Sequence, residues 1–369
     1  MPAATKIKVV DLFAGAGGLS VGAHLAGGSV AASLEFNAVA CETLRRNAIY
    51  HGKVIEGDVC DFSGQDLRTI SGVKKSDRLI IVGGPPCQPF SKAAYWTEDG
   101  ADAAYRRARA DGHNVDKPAA PTKVKDDARR DLVQEYWRLV EESHADGFVF
   151  ENVPSIKHPR NKPIYDTLVR CALEAGFEVT EGVVNAATYG VAQARERVVV
   201  MGSKKKKPQM PTMTHSLDGK GLPLAVPAGE ALKGLGVKKY FEPEEVITGR
   251  WAKHLQEVPP GWNYKAHTAW AHHPNPTFVA ETRFWNFLLK LSKTRPSWTL
   301  AASPGPWTGP FHWDNRRLRT VEMLALQGFP LDYELAGPRR ERVRQMGNAV
   351  PVPIAQAMVR SVMDALEAG

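Results

Sequence analysis

The sequence predicts an α/β fold, a Rossmann-like mixed sheet, with a second, smaller domain of irregular and β structure. Three observations lead there. Residues 7–13 form an apolar run broken at once by the glycine turn of residues 14–18 and followed by a helical pattern. Further apolar runs at 30–36, 54–58, 79–82 and 147–150 alternate with helical patterns, the rhythm of a wound, mostly parallel sheet. At Lys204 the character changes: from there to about Asn315 the chain is rich in Pro and Gly, weakly periodic, and carries seven of the nine tryptophans. The division expected is 1–203 plus 340–369 for the first domain, with a long loop at 92–130, and 204–339 for the second with its connecting helix.

The composition of 369 residues is long enough for a substantial core. No run of about 18 apolar residues is present and residues 1–8 lack a signal-peptide hydrophobic region, so a soluble, unexported, cytosolic protein is expected. Cys41, Cys60, Cys87 and Cys171 lie far apart, which disfavours a disulfide framework or a zinc site. A net charge of +8 and a pI near 9.2 suggest a polyanionic partner.

In chain order, the first strand and its turn bring backbone amides to a helix N-terminus, an arrangement suited to a nucleotide. Gly15 and Gly17 fit Gly-x-Gly, but Ser20 stands at the third glycine position, so a nucleoside without a pyrophosphate is favoured. The second strand ends at Glu35, placed to accept from ribose hydroxyls, and the third at Asp58, placed to accept from an adenine amino group. Each alone is also an ordinary loop carboxylate. Together with the glycine turn they point to adenosine.

The fourth strand, 79–82, runs into Gly-Gly-Pro-Pro-Cys-Gln-Pro-Phe-Ser at 83–91. Ligands of an open α/β sheet sit beyond the strands' carboxyl ends, so Cys87 projects toward the crevice. A small buried cysteine in a turn is the alternative. The polar, Ala-rich stretch 92–130 reads as a loop whose basic residues could meet phosphates or simply be solvated. A helix over 126–144 follows. Residues 147–150 then deliver Glu151 beside the expected place of Cys87, where desolvation would raise its pKa toward that of a general acid. After a helix over 164–175, Arg195 and Arg197 alternate with Ala194 and Glu196, so both guanidiniums face one side of an extended segment. Thr320 is the expected N-cap of a helix over 320–327, ended by Gly328, and residues 354–366 form a last helix.

These segments resemble the DNA (cytosine-5) methyltransferase family, bacterial type. Residues 11–18 look like its first motif, 83–91 its Pro-Cys-Gln motif, 150–153 its Glu-Asn-Val motif and Gln193-x-Arg195-x-Arg197 its arginine motif. Residues 317–330, with Gln-Gly-Phe-Pro, and 347–351 resemble the closing motifs, all in family order over nearly the whole chain. The resemblance implies methyl transfer from S-adenosylmethionine to carbon 5 of a flipped-out cytosine in duplex DNA. It assigns Cys87 as the carbon-6 nucleophile, Glu151 as proton donor to ring nitrogen 3, and Arg195 and Arg197 to the base oxygen, the thiol or a phosphate. Phe13, Gly15, Gly17, Glu35, Asp58 and Asn348 would line the cofactor pocket, and 204–339 would be a target-recognition domain. It further implies a monomer in the bacterial cytosol or nucleoid, without metal or membrane, beside a cognate restriction endonuclease. A tRNA cytosine-5 methyltransferase of the same fold and a non-catalytic DNA-binding regulator are the competing functions. Two departures stand out: the 92–130 segment is longer than usual, and residues 283–286 and 305–313 have no role derivable from the sequence.

Overall fold

The computed structural model describes residues 7–90, 101–116 and 127–368. The first half is a seven-stranded sheet. Its strands are β1 (Lys8–Leu12), β2 (Ser29–Glu35), β3 (Lys53–Glu56), β4 (Leu79–Gly83), β5 (Gly147–Asn152), β6 (Glu178–Asn185) and, after the two-residue β7 (Gln193–Ala194), β8 (Glu196–Ser203). They lie in the order β3-β2-β1-β4-β5-β8-β6. The pairs from β3 to β5 are parallel, and β8 runs antiparallel to both its neighbours. The mixed sheet expected from the sequence is therefore present. The antiparallel β8 also turns its first residues toward the carboxyl ends of β4 and β5.

Helices cover both faces. In chain order they are α1 (Gly18–Leu25), α2 (Ala38–Arg46), α3 (Ala48–His51), α4 (Gly64–Ser71), α5 (Ala101–Ala110), α6 (Leu132–Glu142) and α7 (Lys162–Glu174). Then follow α8 (Ala228–Ala231), α9 (Ala252–Glu257), α10 (Thr320–Gln327), α11 (Arg339–Asn348) and α12 (Val352–Glu367). One face of the sheet buries Val10, Leu12, Ile81, Phe148 and Phe150 against α6 and α7. The other buries Val9, Ile80, Val82 and Val149 against α1 and α12. Strands β4 and β5 are buried along their whole length, which explains their unbroken apolar sequence.

A third core joins Val21 and Ala192 to Leu318, Leu324, Met346 and Val352, seating α10 and α11 beside α1. A fourth, around Leu255, Tyr264, Phe278 and Phe311, lies wholly within 204–339. There β structure is slight among the described residues: β9 (Ser297–Trp298) pairs with β7, and the rest is turns, short helices and isolated bridges. The tryptophans divide. Trp251 and Trp307 pack on the fourth core and Trp313 on the third, whereas Trp262, Trp270 and Trp285 are exposed.

Three sequence expectations need correction. The stretch read as a loop at 92–130 contains α5 at Ala101–Ala110, where alanines and arginines, all good helix formers, outweigh the lack of an apolar stripe. The helix expected over 126–144 is shorter, with a 3₁₀ turn at Ala128–Arg130 before α6. Thr320 is the first residue of α10 and Arg319 is its N-cap. The amides there are taken by carboxylates: Arg319 N–H donates to Glu322 and Thr320 N–H to Glu242, each at 2.8–2.9 Å, so no threonine cap is needed.

Candidate active site

The register places the site residues side by side. Leu12 pairs with Gly83 and Gly83 with Phe150, so the turns after β1 and β4 and the end of β5 emerge together. Between them opens a cavity of about 500 Å³, within the range of small-molecule sites. Phe13, Gly15, Glu35, Asp58 and Asn348 line it together with Cys87, Glu151 and Arg197. Eight of the ten residues singled out from the sequence thus share one cavity.

Cys87 is half-buried just before a 3₁₀ turn at Gln88–Phe90. Its loop is tied down at two points: Asn152 Nδ2 donates to the Pro85 carbonyl at 3.1 Å and Ser155 Oγ to the Phe90 carbonyl at 2.5 Å. Desolvation pushes the Cys87 thiol up; Arg197 and, less, Arg195 pull it down, while Glu151 adds to the rise. Glu151 is not an isolated acid in an apolar pocket, as the sequence alone suggests. Its Oε1 lies 2.6 Å from Nε of Arg197. Its Oε2 lies over Gly84, where a Cβ would come within 3.0 Å of it.

The two arginines do share one side of the chain, as their alternation implies, but they have different partners. Arg197 reaches Glu151; Arg195 is fully buried, is not part of the cavity wall, and donates through Nη2 to the Gly347 carbonyl at 2.8 Å. Gly17 is also absent from the wall. With φ of 81° it caps α1, and a Cβ there would strike the His51 ring at 2.2 Å, so its role is conformation and close packing.

At the other end of the cavity, Glu35 accepts from Gly15 N–H at 2.8 Å and Asn37 N–H at 2.7 Å. This fixes the carboxylate at the turn. Phe13 has a left-handed backbone, φ 57°, unusual for a bulky residue and in keeping with a functional turn. Asp58 begins a 3₁₀ turn and accepts from Cys60 N–H at 3.0 Å. The wall suits a nucleoside: two carboxylate acceptors at successive strand ends, an exposed aromatic at Phe36, and a cavity of the right size.

Sequence reasoning missed several wall residues: Phe36, Arg129, Arg344 and Gln345. It also missed those that brace the walls. Tyr333 OH donates to the Ala16 carbonyl at 2.7 Å while bonding His51 Nε2 at 2.8 Å, and Thr43 Oγ1 donates to Gln345 Oε1 at 2.6 Å. These contacts join residues some 300 positions apart in the chain; no local spacing announces them.

The model of the C-5 cytosine-specific DNA methylase family matches residues 7–364. The Type II methyltransferase M.SacI of Streptomyces achromogenes is 35% identical, over 98% of this chain and 94% of its own length. M.NgoFVII of Neisseria gonorrhoeae is 28% identical over 97% of this chain and 87% of its own. In fold, the chain resembles an E. coli prophage protein described as a DNA modification methyltransferase, at a TM-score of 0.66 and 19% identity over 98% of this chain and all of the other. It also resembles the S. pombe Dnmt2 methyltransferase, at 0.57 and 13% over 98% and 99%. The chain belongs to the C-5 cytosine-specific DNA methylase family, and it is a DNA (cytosine-5-)-methyltransferase.

Proposed function

We propose that this enzyme methylates carbon 5 of a cytosine flipped out of duplex DNA, using S-adenosylmethionine and a transient Cys87–carbon 6 bond. The observation that carries this reading is the single cavity that brings Cys87, Glu151 and Arg197 next to Glu35 and Asp58. S-adenosylmethionine supplies an electrophilic methyl group. Glu35 would hold its ribose hydroxyls, Asp58 its adenine amino group, and Phe13, Gly15 and Asn348 the surrounding wall, with Gly17 shaping the turn.

Carbon 5 of cytosine is too weak a nucleophile unaided. Cys87 Sγ, as thiolate, bonds to carbon 6, and the electrons of the 5,6 double bond move into the ring. Glu151, a carboxylate paired with Arg197 before the base arrives, would take up a proton with the base and share it between its Oε2 and ring nitrogen 3, dispersing that charge, while Arg197 orients Glu151 and favours the thiolate. Carbon 5, having taken the methyl group with S-adenosylhomocysteine as leaving group, would lose its proton to water; those electrons restore the 5,6 double bond as the carbon 6–sulfur bond breaks and Cys87 leaves as thiolate. Both ring carbons are shielded in the base stack, so the cytosine must leave it, at a cost of a few kcal/mol.

Residues 204–339 would recognise the target, with exposed Trp262, Trp270 and Trp285 among their candidate contacts. The family resemblance further implies that the loop after Ser91, 92–130, closes over the base; of that loop, residues 92–100 and 117–126 lie outside the described residues. The relatives' description as Type II methyltransferases supports a role in restriction–modification, and we propose a monomer acting beside a cognate restriction endonuclease.

The test is transfer of label from S-adenosylmethionine to duplex DNA and, in parallel, to tRNA. Labelled 5-methylcytosine in DNA alone is expected. Transfer to tRNA instead, no transfer by the intact protein, or undiminished transfer by C87A overturns the reading.

A further inference from the structure

Arg195 is buried to 2% exposure yet makes one hydrogen bond through its guanidinium, from Nη2 to the Gly347 carbonyl. Among the described residues its buried Nε and Nη1 find no partner. So large a desolvation for one bond demands a reason. Burial and the like charge of Arg197 lower its pKa to about 9, opposed by Glu151 and Cys87.

What Arg195 holds is informative. Gly347 is the penultimate residue of α11, and the next three, Asn348, Ala349 and Val350, form part of the cavity wall, Asn348 being the one assigned above to the cofactor. The last turn of α11 is caught from two sides. Arg195 takes the Gly347 carbonyl, and Gln327 Nε2 takes the neighbouring Met346 carbonyl at 2.5 Å. Gly347 itself has no slack, because a Cβ would lie 2.3 Å from Ala302. A cation at a helix C-terminus also complements the exposed carbonyl dipoles there. Two residues further on, Arg197 grips Glu151 on the base side.

We infer that Arg195 is a positioning residue which ties the cofactor wall, through Gly347 and Asn348, to the Glu151–Arg197 pair, so that cofactor and target base sense each other's binding. This rests on the function proposed above. Among the described residues, Arg195 is not one of those that line the cavity.

The full-length enzyme is titrated calorimetrically with S-adenosylhomocysteine, alone and with saturating cognate duplex, and duplex affinity is measured separately. Loss of a hydrogen bond from a charged donor predicts about tenfold weaker S-adenosylhomocysteine binding in R195M. Duplex affinity should stay within about twofold, and the ratio of the two cofactor affinities should fall toward one, since coupling between ligands is reciprocal. R195K, which keeps the charge and a donor, should recover part of that ratio and guards against misfolding of R195M. A drop in duplex affinity with unchanged cofactor binding, or a lowered melting temperature with an unchanged ratio, overturns the inference. Failure of the unaltered enzyme to bind S-adenosylhomocysteine at all would instead overturn the proposed function beneath it.

Discussion

Nε of Arg197 sits 2.6 Å from Oε1 of Glu151, and each side chain is only 9% exposed. Such a pair is costly to break, because the survivor keeps a buried charge without its partner. Glu151→Gln should therefore act twice. It should destabilise the fold by about 3 kcal/mol, seen in urea unfolding. It should also slow methyl transfer on the order of a hundredfold to a thousandfold, the usual cost of removing one group that disperses transition-state charge. Loss of stability with undiminished transfer would show that the pair is merely structural.

The same pair sets the pH dependence. Desolvation raises the Cys87 pKa, Arg197 lowers it and Glu151 raises it. The reactive thiolate is thus the minor form at neutral pH. Single-turnover attack on DNA containing 5-fluorocytosine, read as covalent complex, should still be rising above about pH 8.5, the ordinary thiol value. Removing the cation in R197Q should move the rise to higher pH, and removing the carboxylate in E151Q should move it lower. Parallel displacement in both variants would refute the electrostatic account.

Gly84 offers a steric test that leaves every charged group in place. A Cβ there would lie 3.0 Å from Glu151 Oε2, so Gly84→Ala must push the carboxylate aside by a few tenths of an ångström. Displacing an acting group on this scale is expected to lower kcat by about ten- to a hundredfold. The melting temperature and the affinity for S-adenosylhomocysteine should change little. A normal kcat would mean that Oε2 is not the atom that meets the base.

How much of this was legible in the sequence follows from where chemistry meets apolar strands. Glu35, Asp58, Cys87 and Glu151 each lie at or just past the end of such a strand, and parallel pairing carries strand ends to one edge, so their convergence could be read before any coordinates. Arg195 and Arg197 were legible as a pair facing one way. Their separate partners were not, because Gly347 lies 152 positions after Arg195 and Glu151 lies 46 positions before Arg197. Helix α11 was missed because Arg-Arg-Glu-Arg-Val-Arg has no apolar repeat; contacts from elsewhere, Arg195 and Gln327 among them, hold it. Arg129 and Arg344 reach the cavity by tertiary placement alone.

Asp11 supplies the last prediction. It is fully buried in β1, accepts from the backbone N–H of Ser20 at 3.0 Å and from the Ser20 hydroxyl, and leaves Oδ1 without a partner. Burial raises its pKa from 3.8 to about 7, against the lowering effect of both Ser20 bonds. The folded state therefore prefers the protonated acid. Its contribution is fully present below pH 3.8 and is lost as pH rises through about 7. Asp11→Asn keeps an acceptor for Ser20 but cannot ionise. Relative to D11N, the unaltered protein should lose on the order of 4 kcal/mol of stability between pH 4 and pH 8, at 1.36 kcal/mol per unit over about three units. Urea unfolding of both proteins across that range measures the difference directly. Parallel stability curves would mean that Asp11 ionises as easily in the folded as in the unfolded chain, the two Ser20 bonds then offsetting the whole cost of its burial.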